Sequence, residues 1–134
     1  MIGGGRGVIV PAHVFRKIGL FDAENMPHYY ADHDFYLRCR KQGVPLYMAR
    51  DAAVAVDPRR TTAAANYSRL NLREFRRTFS DPRSHRNLHD LITLFRLHYP
   101  VPGLWWVGVG LNLARYILTF LAARGFRLLA TRGK

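Results

Sequence analysis

Asp32 and Asp34 lie one residue apart in the stretch HYYADHDFYLRCRKQG, residues 28–43, just ahead of a run of basic and apolar residues. Three chemistries suit such a pair. The plainest is electrostatic: Asp32 caps a helix and Asp34 sits in its first turn, each contributing up to about 1 kcal/mol through backbone donors and the macrodipole. A second is metal ligation, with His28 and His33 adding imidazoles to the two carboxylates. The third is general-base catalysis, in which one carboxylate takes a proton from an attacking hydroxyl while Tyr29, Tyr30, Phe35 and Tyr36 tune its pKa. Spacing alone fits the first best.

The elements around the pair set its position. GVIV at 7–10 predicts a short buried strand, and Pro11 opens a helix over 11–18 that Gly19 ends. LFDAENMPHYYAD has no period and predicts a loop with anchoring side chains. A helix follows from Asp32, acidic at its start, basic at its end through Arg38, Arg40 and Lys41, and closed by Gly43. VPLYMA and AAVAV predict two further strands, the second broken at Asp57 and Pro58, so a compact α/β portion is expected over residues 1–60. Residues 61–99 predict two basic amphipathic helices separated by DPR, with Leu88, Leu91, Ile92 and Phe95 on one apolar face. Residues 100–134 carry an apolar segment of the length a bilayer span needs, interrupted by Asn112 and Arg115 near its middle.

Composition bounds the partners. The 134 residues suffice for one domain, and 21 Lys and Arg against 9 Asp and Glu give a net charge of +12. That charge favours a polyanion: nucleic acid, an anionic lipid surface or a phosphate-bearing substrate. Nucleic acid is not expected, because the aromatics beside the arginines fall at helical spacing and form no stacking platform. The lone Cys39 excludes an intrachain disulfide and fits a reducing setting. The N-terminus does not read as a secretory signal.

Taken in order, GGGRGVIVPAHVFRKIGLFD, YYADHDFYLRCRKQG and PLYMARDAAVAV resemble the C-terminal half of the catalytic domain of family 2 glycosyltransferases, over roughly residues 3–57. The resemblance implies a partial GT-A fold, Rossmann-like α/β, lacking its nucleotide-binding half and followed by amphipathic and apolar α-helices. It implies inverting transfer of a sugar from a nucleotide-sugar donor to a glycan or lipid-linked acceptor, in a chain inactive by itself. Asp32 corresponds to the family's catalytic base. His28, Tyr29, Tyr30, Asp34, Arg38, Gly4 and Gly5 correspond to substrate-side positions. The sequence departs from the family at Ala31, where an acid usually precedes the base, and at Val56, where a histidine is often found. Asp57 beside it is the candidate ligand for the divalent metal, Mg or Mn, expected in the intact enzyme.

The tail opens on Trp105 and Trp106 and carries Arg124 and Arg127 towards its far end. This suits either a tilted span or a helix in the membrane surface, and Arg115 favours the surface, because a mid-span arginine costs about 2.5–3.5 kcal/mol on insertion scales. The alternative is a tail that packs on the basic helices as part of a soluble core, with Gly108 and Gly110 allowing close contact. The expected location is the cytoplasmic face of the cell membrane, on an anionic leaflet, peripheral or by a single helix. The rival from another class is a non-catalytic basic membrane-binding or interaction module.

Overall fold

A computed structural model describes residues 7–52, 55 and 70–132, with side chains as far as 125. Five helices follow in order: α1 (Ala12–Ile18), α2 (Ala31–Lys41), α3 (Leu72–Arg77), α4 (Leu88–His98) and α5 (Trp105–Arg132).

Local chemistry fixes most of their ends. The extended Pro11 precedes α1, and Gly19 closes it at φ 88°, its N–H donating to Phe15 O at 2.8 Å. Asp32 and Asp34 occupy the first turn of α2, and Arg38, Arg40 and Lys41 its last, so both ends complement the helix dipole. The N-cap, however, is Tyr30 in the left-handed region at φ 67°, and not Asp32 as the cap reading expects. Asn71 and Glu74 form a capping box that starts α3. The Asn87 side chain accepts from Asp90 N and starts α4.

The expected α/β fold is overturned, for the described residues are helical and contain no strand. Residues 7–10 and 44–49 have no regular structure, and Ile9, Tyr47 and Met48 are 93, 90 and 75% exposed. β-branched and aromatic residues favour an extended backbone, but a strand is stable only when a neighbour completes its ladder. Neither segment has that neighbour among the described residues. The AAVAV segment falls mostly outside them, as do Gly4, Gly5 and Asp57.

Two cores organise the helices. Val14 of α1 packs with Phe35, Tyr36 and Cys39 of α2, and Phe15, Phe21 and Phe35 form an aromatic cluster beside them. Cys39 is 1% exposed, and burial raises its thiol pKa, so it behaves as a small core hydrophobe. The second core joins Phe75 of α3, Leu91 of α4, and Val109, Tyr116 and Phe120 of α5, with Leu88, Ile92 and Phe95 packed against it. Phe75 and Phe120 stack with centroids 4.1 Å apart. Tyr30 O–H donating to His85 O at 2.5 Å and Lys41 Nζ donating to Leu97 O at 3.0 Å bind the two cores to each other.

Two glycines in α5 make opposite expectations. A Cβ on Gly108 would drive into the rings of Phe95 and Tyr99, whereas one on Gly110 meets nothing within 4 Å. Gly108→Ala should therefore destabilise the chain by about 1–3 kcal/mol through overpacking. Gly110→Ala should stabilise it by about 0.5–1 kcal/mol through helix propensity. Urea denaturation of the two variants reads the difference, and equal effects would contradict the close α4–α5 approach at Gly108.

Within α5, Trp105–Gly125 is long and apolar enough to cross a membrane by length and composition, a test that the core helix of a soluble protein also passes.

Candidate functional site

Side chains two residues apart on a helix diverge by about 200°, so Asp32 and Asp34 face different surroundings. Asp34 points inward and is 3% exposed. Its Oδ2 accepts from Arg38 Nε and Nη2, both at 2.8 Å, and its Oδ1 lies 2.7 Å from His98 Nε2. Arg38 in turn donates Nη1 to Ile18 O at 2.7 Å and Nη2 to Leu20 O at 2.8 Å. One carboxylate thus fastens the end of α1, the middle of α2 and the end of α4.

Asp32 has a different environment. Its side chain is 26% exposed, and among the described residues only Oδ1 is held, by the His33 N–H at 2.8 Å and by His33 Nδ1 at 2.9 Å. Among the described residues the other oxygen, Oδ2, has no hydrogen-bond partner. Phe35 and Tyr36 behind it are buried, and Tyr36 has its phenol pKa raised by burial first and by the Asp32 charge second. Asp32 is therefore an accessible carboxylate on a rigid helix, with its immobility supplied by its neighbour two residues on.

The loop residues divide as well. His28 is exposed. Tyr29 is half-buried with its ring edge-on to His85 at 6.3 Å. Tyr30 turns its hydroxyl away from the carboxylates to His85 O, and its ring packs on the α3–α5 core and edge-on to His33. Burial, and next the neighbouring Tyr116, raise its phenol pKa far above the ordinary range, so it stays protonated and acts as an anchor. Ahead of the loop, Asp22 accepts from Asn25 N and Nδ2 at 3.0 Å, which lowers its pKa and tightens the turn.

The structure thus brings Asp34 and Arg38 together with His98, and Tyr29 and Tyr30 together with His85. Neither histidine was among the residues singled out from the sequence. They stand 64 and 55 positions away from their partners, and nothing local to them signals the pairing. A cleft lined by Leu20, Asp22, Arg38, Lys41, Leu97 and His98 opens beside the Asp34 hub.

No group of three His, Cys, Asp or Glu side chains capable of holding an ion occurs among the described residues. His33 Nδ1 is turned onto Asp32 itself. Asp57, the candidate ligand, lies outside the described residues, and no step through a metal follows from those described.

His85 supplies a pH dependence. Burial, then Arg86 and Arg115, hold its imidazole below the usual value. The native state keeps it neutral where the unfolded chain, with an ordinary histidine value of about 6.5, begins to protonate. Its contribution is complete above that value and lost as pH falls through the lower folded one. His85→Asn should therefore make the urea midpoint fall less steeply between about pH 7 and about pH 5 than it does for the parent chain. An unchanged slope would count against the half-buried neutral imidazole.

Compared with known proteins, the chain matches no family model, no curated protein and no solved structure.

Proposed function

We propose that this chain serves in a nucleotide-sugar-dependent glycosyltransferase, with Asp32 as the base that deprotonates the acceptor hydroxyl. The observation that carries the reading is the division between the two acids: Asp34 is buried with both oxygens engaged, while Asp32, at a half-exposed position, has one oxygen without a hydrogen-bond partner among the described residues. A base must reach its proton while its carboxylate is held still. Asp32 meets both conditions.

In the reaction, the acceptor oxygen attacks the anomeric carbon as its proton passes to Oδ2 of Asp32. The bond to the nucleoside diphosphate breaks with inversion, and the diphosphate leaves with the electron pair. His28, exposed on the loop before α2, is on the acceptor side, and Tyr29 flanks it. Asp34 and Arg38 act as positioning residues through the α2 frame. Gly4, Gly5 and Asp57 fall outside the described residues and carry none of this argument. A glycan or lipid-linked acceptor at the cytoplasmic face of the membrane fits the net charge of +12 and the apolar α5.

The exposed apolar side of α5 favours a second reading, a basic membrane-binding module without catalysis. Cells with the gene deleted, and then restored, separate the two. Mass spectrometry of lipid-linked saccharides and surface glycans should show one species lost on deletion and recovered on restoration. Unchanged glycans would sink the transferase and leave the membrane module.

A further inference from the structure

Helix α5 is apolar on two sides, and among the described residues only one of them is covered. Val109, Tyr116 and Phe120 face the core, where Phe75 stacks on Phe120 and Phe79 and His85 lie beside Tyr116. The other side presents Trp106, Leu111, Ile117, Leu118 and Leu121, which are 59, 65, 46, 65 and 56% exposed. Gly110 and Ala114 continue this outer face between them.

Arg115 lies beside that face and Arg124 at its edge, in line with Trp106. At 3.6 residues per turn, Arg115 falls roughly 110° and Arg124 roughly 70° to either side of its middle. Both lean back towards the protein. Arg115 sits over the Tyr116 ring at 5.0 Å and donates to Asn112 Oδ1 at 3.1 Å, and Arg124 sits over the Phe120 ring at 5.6 Å. Arg96 of α4 lies similarly over Trp105 at 5.8 Å.

We propose that α5 lies in the plane of an anionic membrane surface, its outer face set into the boundary between headgroups and acyl chains, and does not cross the bilayer. This deepens the membrane association proposed above by naming the face and its orientation. A crossing helix would carry its covering layer into the hydrocarbon. Arg73, Glu74, Arg76 and Arg77 share α3 with Phe75, which packs at Phe120, Arg86 lies over Tyr116, and Arg96 lies over Trp105. Charged groups would then occupy the whole depth of the bilayer, where each is costly. Lying flat, the same layer stays in water, the outer face meets acyl chains, and the bordering arginines reach lipid phosphates. A second copy is the poorer occupant, since two chains of +12 would repel each other across the shared face.

Trp105 and Trp106 are the only two tryptophans, so intrinsic fluorescence reports the start of α5 directly. The test uses the whole chain with phosphatidylcholine vesicles, with and without phosphatidylglycerol. In-plane binding predicts retention on phosphatidylglycerol vesicles that weakens with salt, stronger quenching by lipids brominated near the headgroup than by those brominated deep, and release by alkaline carbonate. The pair Leu111→Glu and Leu118→Glu, on exposed positions, should weaken retention by roughly tenfold or more with the melting temperature unchanged. Resistance to carbonate with deep quenching would overturn the proposal in favour of a span. Absence of vesicle binding would overturn it too, and so would a dimer in sedimentation that the glutamates dissolve. No outcome depends on sugar transfer, so this orientation can fail while the transferase reading stands, and the reverse.

Discussion

Asp34→Ala should lower the free energy of unfolding by about 3–5 kcal/mol, the range seen when one partner of a buried ion pair is removed. That is a large share of the roughly 5–15 kcal/mol that holds a domain together. Asp34 is 3% exposed and joins three helices at once. Without it, His98 Nε2 loses its acceptor, and His98 Nδ1 is already a buried atom without a hydrogen-bond partner. Arg38 keeps Ile18 O and Leu20 O, but its charge loses the carboxylate. The loss should couple to His98: the double variant Asp34→Ala, His98→Ala should cost less than the sum of the two single changes, by about 0.5–3 kcal/mol. Urea denaturation of the four chains measures both quantities. A loss under about 1 kcal/mol for Asp34→Ala would place the hub in the class of exposed pairs and remove its role as the frame of α2.

The helices were legible because their signals are local. Pro11 and Gly19 bracket α1, Gly43 follows α2, and the three-and-four spacing of Leu88, Leu91, Ile92 and Phe95 turns one side of α4 to the core. The expected strands failed for the opposite reason. GVIV and VPLYMA have the composition of strands, but a ladder is a property of two segments, and composition cannot say whether the second is present. The same limit applies to the site. Asp32 and Asp34 look equivalent in the sequence, yet a helix turns them to different sides, and only the return of α4 with His98 decides which is buried. The resemblance puts Tyr30 at a substrate-side position; that its hydroxyl donates to His85 O, from a backbone turn at φ 67°, is a pairing no local signal announces.

Asp32→Asn is the change that separates chemistry from scaffold. Asparagine keeps the size of the side chain and an acceptor for the His33 N–H, so α2 keeps its first turn. Because the Asp32–His33 pair is half-exposed and between adjacent residues, its loss should change unfolding by less than about 1 kcal/mol. The amide cannot take a proton near neutral pH, so the transfer step should slow by about 10²- to 10⁴-fold, the usual contribution of a positioned general base. Asp32→Glu should recover part of it, since the base is retained at a displaced position. The measurement is the rate at which labelled sugar enters lipid-linked saccharides in membranes of cells carrying each variant at the natural locus, beside the melting temperature of each purified chain. Asp34→Ala makes the contrasting case, with stability and product lost together. Full product from Asp32→Asn, with the chain folded, would remove Asp32 from the chemistry and leave α5 and its arginines as the functional part of the molecule.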